Sequence, residues 1–224
     1  MPYILNQIQG TVCTTIWVGV FFCSVACAQP NAGHQSLTLR TFVYECESGA
    51  SFIVNYKNDK AWIFLPTQTV ALDHVPSDSG AKYSNGVMSF WAKGTEAMLE
   101  TPEVHYHGCR NNRAKAIWED AKLRGVDFRA LGNEPGWYLE ISEKTRLLFV
   151  SNYGQSRQNL TLSPPVTDQA ARVTTYTAKN DQQTLTVIIE GRVCHDTMSG
   201  EQYESTVTVK FAEREYYGCG RALH

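Results

Sequence analysis

The chain has 224 residues, with 20 Lys and Arg against 22 Asp and Glu, a formal net charge of -2 and 43% hydrophobic residues. That length suits one large domain or two small ones. The balanced charge offers no basic footprint, so nucleic acid is not an expected partner.

No Lys, Arg, Asp or Glu precedes Arg40. Within that stretch, residues 16–28 run from an apolar IWVGVFF into small residues. This is the pattern of an export signal, too short and too abruptly ended for a membrane span. Residues 1–28 are therefore expected to be a cleaved signal, although no basic residue stands ahead of the apolar run. Two processing readings compete. Ala26-Cys27-Ala28 before Gln29 fits an A-x-A site, whereas Ser24-Val25-Ala26-Cys27 is similar to an imperfect bacterial lipobox. In the second reading Cys27 carries a lipid, the only membrane attachment expected. Residues 29–39, polar and rich in Pro and Gly, read as a tether.

Short runs dense in β-branched and aromatic residues follow: 41–46, 51–57, 61–65, 69–75, 87–92, 96–100 and 104–109. Each is bounded by turn residues, which predicts an antiparallel all-β unit, barrel or sandwich, over residues 40–110. Residues 111–125 change character. Ala114, Ile117, Trp118 and Ala121 fall at helical spacing, Asn112 suits an N-cap and Gly125 a stop. A linker helix is expected, with Trp118 pinning it to a sheet. Strand-like runs resume at 137–142, 145–151, 172–178, 183–190 and 205–211, predicting a second all-β domain over 126–224. The expected fold class is all-β: two small antiparallel barrel or sandwich domains joined by a short helix.

Four cysteines remain after the signal: Cys46, Cys109, Cys194 and Cys219. An even number in an exported chain suggests disulfides, and three pairings are possible. The long gap between Cys109 and Cys194 leaves two cysteines in each half, so Cys46–Cys109 with Cys194–Cys219 is the economical choice. No C-x-x-C occurs, so neither a zinc nor a redox motif is supported.

Asn85-Gly86 between alternating apolar residues is a strong hairpin signal. A two-residue turn there pairs Ser84 with Val87, Tyr83 with Met88 and Lys82 with Ser89. Ser79 then arrives opposite Ala92, one residue from Lys93. Strict alternation would set Ser79 and Lys93 on opposite faces. Gly80 and Gly94 flank them and permit irregular backbone, so both are expected on adjoining loops projecting the same way. The blander alternative is a solvated Ser and Lys at a sheet edge. Tyr83 and Trp91 serve either as interface anchors or in barrel packing, and packing is the preferred reading.

Ser79-Gly80-Ala81-Lys82-Tyr83 followed by Phe90-Trp91-Ala92-Lys93-Gly94 resembles the two signature motifs of the membrane-bound inhibitors of c-type lysozyme. The early Phe42-x-Tyr44-x-Cys46 and the closing Cys109 agree with that order, and the resemblance covers about residues 40–110. It implies an eight-stranded antiparallel barrel whose loop serine and lysine enter the lysozyme cleft. Ser79, Gly80, Tyr83, Lys93 and Gly94 would then be the lysozyme-binding residues. Ala92 stands where the family often has Thr, removing one hydrogen bond. The implied chemistry is coherent, because lysozyme needs one protonated and one ionised carboxyl. An ammonium between them favours ionisation of both, and a hydroxyl donates to one. Residues 41–110 carry five bases against eight acids, a net charge of -3. Lysozymes of this class are typically basic, so the sign favours attraction.

Residues 127–141 (DFRALGNEPGWYLEI), 194–200 (CHDTMSG) and 216–223 (YYGCGRAL) resemble an uncharacterised domain of bacterial envelope proteins and lipoproteins, which brings no activity with it. His195, Asp196 and Met198, and the His105-Tyr106-His107 alternation, invite metal readings; a turn and a solvated strand are preferred. No free cysteine and no G-x-S-x-G supports nucleophilic catalysis, and Glu134 reads as a turn residue. Asn159-Leu160-Thr161 matches a glycosylation sequon, as such short patterns often do by chance. The expectation is therefore a non-enzymatic, cofactor-free inhibitor of c-type lysozyme in the periplasm or outer membrane of a Gram-negative bacterium. The alternative is an envelope scaffold or small-ligand binder acting through its C-terminal domain, and a third option is an unrecognised hydrolase.

Overall fold

The computed structural model describes residues 40–224. The expected export signal, the tether and Cys27 lie outside them.

Eight strands follow first: β1 (Thr41–Glu45), β2 (Ser51–Lys57), β3 (Lys60–Phe64), β4 (Thr69–Val75), β5 (Ala81–Ser84), β6 (Ser89–Lys93), β7 (Glu96–Glu100) and β8 (His105–Asn111). Each pairs antiparallel with its sequence neighbour, and β8 returns to β1 to close a barrel. Period-two alternation drives this closure. Ala61 and Ile63 of β3 are buried while Trp62 between them is exposed, and Leu99 is buried between exposed Met98 and Glu100. The interior is aromatic: Tyr44, Phe52 and Phe90 pack with centroids 5.5–6.1 Å apart. The closing seam is short, pairing only Tyr44 with Asn111 and Glu45 with Arg110. The Cys46–Cys109 disulfide extends this register by one position, and the Asn112 amide donates to the Val43 carbonyl at 2.7 Å.

The hairpin differs from its expected register. Ser84 pairs with Ser89, Tyr83 with Phe90, Lys82 with Trp91 and Ala81 with Ala92. The connection is the four residues Asn85–Met88, not the two-residue Asn85-Gly86 turn. The Asn85 side chain accepts from the Val87 and Met88 amides at 3.0 and 2.8 Å, and the Ser84 hydroxyl donates to the Met88 carbonyl at 2.8 Å. These local bonds satisfy a longer loop. Two-residue turns occur where no Asn-Gly announces them. Lys57 pairs with Lys60 across Asn58 and Asp59, both at positive φ, and Lys93 pairs with Glu96 across Gly94-Thr95.

Helix α1 (Arg113–Leu123) follows, capped by Asn112, whose side chain accepts from the Lys115 amide at 3.1 Å. Gly125 at φ +78 ends it. Ala116, Trp118 and Ala121 form its buried face, while Ala114 is exposed. The helix is bonded to both β units. Asp120 accepts from the Thr41 hydroxyl of β1 at 2.8 Å, and Arg124 donates to Glu140 of the second unit at 2.9 and 3.0 Å. Trp118 stacks on Tyr203 at 5.3 Å, with the Arg221 guanidinium 4.3 Å from its centroid.

The second unit contains β9 (Val126–Asn133), β10 (Gly136–Ser142), β11 (Arg146–Ser151), β12 (Ser156–Leu162), β13 (Val166–Asp168), β14 (Val173–Lys179), β15 (Thr184–Glu190), β16 (Cys194–His195), β17 (Gln202–Tyr203), β18 (Ser205–Phe211) and β19 (Arg214–Ala222). The sheet order β12-β11-β10-β9-β19-β18-β15-β14 closes through β12–β14 pairing into a second eight-stranded barrel. Strand β13 flanks β14, and the β16–β17 hairpin is a flap tied to β19 by Cys194–Cys219. Both disulfides follow the economical pairing.

Candidate functional site

The β4–β5 loop and the β6–β7 turn lie at the same end of the first barrel, because β5 and β6 run antiparallel. Ser79 and Lys93 are both exposed there. Gly80 turns the loop at φ +72, and a Cβ at this position would stand 2.6 Å from the Ala92 carbonyl oxygen and 3.2 Å from the Lys93 Cβ. The chain at Ser79–Gly80 therefore lies against the Trp91–Lys93 segment, and no other residue type fits at 80. Among the described residues Lys93 enters no ion pair; Glu96, its cross-strand neighbour, is engaged by Arg110 at 2.9 Å. Gly94 is exposed at φ +61 in the turn that follows.

Tyr83 turns inward, half-buried, with its ring 5.4 Å from Tyr56 and 5.2 Å from His74. Burial raises its phenol pKa, and the Asp59 charge acts in the same direction. Trp91 departs from the preferred packing reading. It points to the outer face, where its Nε1 donates to the Ser79 carbonyl at 2.8 Å. With Lys82, Ser89, Met98 and Glu100 it lines a shallow hollow of about 260 Å³. Spacing alone missed this role; the one available signal was that Trp91 alternates with the inward-facing Phe90.

In the second barrel, CHDTMSG forms the flap turn. Asp196 is buried and accepts from the Met198 amide, the Ser199 amide and the Ser199 hydroxyl at 3.1, 2.7 and 2.8 Å, and from Asn133 at 2.7 Å. Burial raises its pKa, but these bonds together outweigh that and hold the carboxyl below its usual range. A depressed carboxyl stabilises the fold above its unfolded pKa of about 3.9, and that stability is lost as pH falls through the lower folded value. The protection factors of the Met198 and Ser199 amides are expected to fall locally on going from about pH 6 to about pH 2.5. Equal protection factors at both pH values would show that the carboxylate does not hold the flap. Glu134 sits in the turn between β9 and β10, preceding a cis proline. Among the described residues no group of three His, Cys, Asp or Glu is arranged to hold a metal.

The first barrel thus defines a class: a small closed antiparallel barrel, disulfide-sealed at its seam, presenting at one end the hydroxyl of Ser79 from a loop and the ammonium of Lys93 from the last position of β6, where the sequence led us to expect two loops. Residues 44–106, within the first barrel, match the family model described as membrane-bound lysozyme-inhibitor of c-type lysozyme. The chain is 39% identical over 72 residues to a membrane-bound lysozyme inhibitor of C-type lysozyme from Pseudomonas aeruginosa, covering 30% of this chain and 57% of that protein. It is 37% identical over 73 residues to a protein of the same name from Yersinia enterocolitica, covering 31% of this chain and 62% of that one. It therefore spans about three-fifths of the length of these curated relatives. No solved structure matches the chain. The family match ends at residue 106, ahead of the helix and the second barrel.

Proposed function

We propose that this protein is a stoichiometric inhibitor of c-type lysozyme, not an enzyme, and that it protects peptidoglycan at the envelope of a Gram-negative bacterium. The first barrel inserts Ser79 and Lys93 into the acidic cleft. Lys93 pairs with the ionised carboxylate and its positive charge favours ionisation of the acid, which gives its proton to solvent, while Ser79 donates a hydrogen bond and sugar is excluded. The supporting observation is the adjacency of two exposed motif residues, with Lys93 in no ion pair among the described residues, at one end of a barrel whose relatives carry lysozyme-inhibitor names. Two charge-assisted bonds at about 1.5–3 kcal/mol each do not make a tight complex, so complementary surface around them supplies the rest. Secretion with acylation at Cys27 gives the membrane-attached form, which mass spectrometry of the mature N-terminus tests.

The experiment is inhibition of lysozyme-catalysed cell-wall lysis by the purified chain. Lys93→Ala is expected to raise the inhibition constant at least about tenfold while leaving the melting temperature unchanged. An unchanged constant would refute the cleft-insertion mechanism. Zymography on peptidoglycan with the chain alone should show no clearing.

A further inference from the structure

From the geometry around Ser79 we infer that Trp91 is a positioning residue for the inhibitory loop, acting through its indole N–H and not as a core residue or a contact anchor. This inference rests on the reading under Proposed function. The loop between β4 and β5 is Pro76–Gly80, exposed throughout and built of residues with no apolar side chain to bury, Pro76 excepted. Such a segment has little intrinsic reason to hold one conformation. Three side-chain bonds hold it nonetheless. The Ser77 hydroxyl lies 3.2 Å from the Ser79 carbonyl and 3.1 Å from the Gly80 carbonyl. The third is the indole donation to Ser79, and it alone comes from outside the loop. Ser77 therefore shapes the loop, whereas Trp91 docks it on the barrel.

Trp91 is placed to do this by its strand. In β6 the side chain of Phe90 enters the core, so those of Trp91 and Lys93 leave by the outer face. Lys82, opposite Trp91 in β5, and Met98, opposite it in β7, flank it and line the same hollow. The same strand thus carries the lysine and, two residues earlier, the donor that holds the serine beside it. Gly80 completes the arrangement, because its missing side chain lets the loop backbone approach the indole nitrogen and the Lys93 stem. Binding then requires less ordering of the loop, which preserves affinity without any new contact.

Trp91→Phe keeps an aromatic body of similar packing and removes only the donor. Its expected signature has two parts: the ¹⁵N order parameters of Ser79 and Gly80 fall towards those of a flexible loop, and the inhibition constant against c-type lysozyme rises about fivefold, with an unchanged melting temperature. Ser77→Ala combined with Trp91→Phe is expected to exceed either single change. A structural role in the barrel would instead lower the melting temperature and leave the loop order alone. Unchanged order parameters, or unchanged inhibition despite a loosened loop, would overturn the positioning role. Absence of inhibition by the unsubstituted chain is a different failure: it removes the lysozyme reading, and with it the purpose of the docked loop, whatever the order parameters show.

Discussion

Glu140→Gln is expected to destabilise the second barrel by about 3–5 kcal/mol, the loss that follows when one partner of a buried ion pair is removed. Glu140 of β10 is 3% exposed and Arg129 of β9 is 7% exposed, so neither charge is relieved by water. Glu140 accepts from Arg129 and, at 2.9 and 3.0 Å, from Arg124 at the end of the linker helix. The Arg129 Nε has no partner, and its guanidinium stacks 4.6 Å from the Tyr138 ring centroid and 5.7 Å from that of Trp118. Burial pulls the Arg129 pKa down, with the Glu140 charge opposing it. Burial acts the same way on Arg124, but Glu140 and Asp120 together outweigh it and hold that guanidinium above its ordinary value. A neutral amide at 140 leaves two cations converging on one buried point. The bonds run on through Asp120 to Thr41, which accepts from Asn55 of β2 at 2.8 Å, so the loss should also loosen the helix against the first barrel. Urea unfolding monitored by tryptophan fluorescence measures the shift. Combining Glu140→Leu with Arg129→Met should recover most of it, because an apolar pair needs no compensation. A single-variant loss below about 1 kcal/mol would mean that water or a rearranged Arg124 replaces the carboxylate.

Removing the Cys46–Cys109 disulfide by paired alanine substitution should cost about 4 kcal/mol, the chain-entropy value for its separation of 63 residues. The effect should concentrate in the first barrel. Its seam holds two paired positions, against five between β1 and β2, and the disulfide stands next in the same register. Without it the β1–β8 edges part first, exposing unpaired backbone and the aromatic interior. Under the proposed lysozyme-inhibitor function, inhibition should fall with the barrel, while Cys194–Cys219 keeps the flap of the second barrel in place. Calorimetry with and without the substitutions gives the test. A first-barrel transition within about 3 °C of the unsubstituted chain would show that Asn111, Asn112 and the helix seal the seam unaided.

Much of the strand plan was legible because a half-buried strand writes its alternation into consecutive residues. VNYK ahead of AWIFL, or TLTVIIE ahead of STVTVKF, needs no distant information. Strands β9 and β12 were not identified from pattern. In β9 the inward positions are Phe128, Ala130 and Gly132, of which only Phe128 is large enough to signal a core, and Gly132 makes room for the Trp137 indole. In β12, SRQNLTL buries only Leu160 and Leu162. The candidate site was half legible. Two glycine-flanked residues marked its location, but the docking of Ser79 by Trp91 depends on which face of β6 the barrel turns outward.

Composition, alternation and the four cysteines after residue 40 were enough to lead to the expectation of two β units around a capped helix, with one disulfide in each as the economical pairing, because each is a local or countable constraint. Closure of both sheets into barrels, the Ser84–Ser89 register, the outward indole and the Glu140 cluster were settled only by the assembled chain. Each depends on which surfaces meet when residues tens of positions apart pack together, and no window of neighbouring residues contains that information.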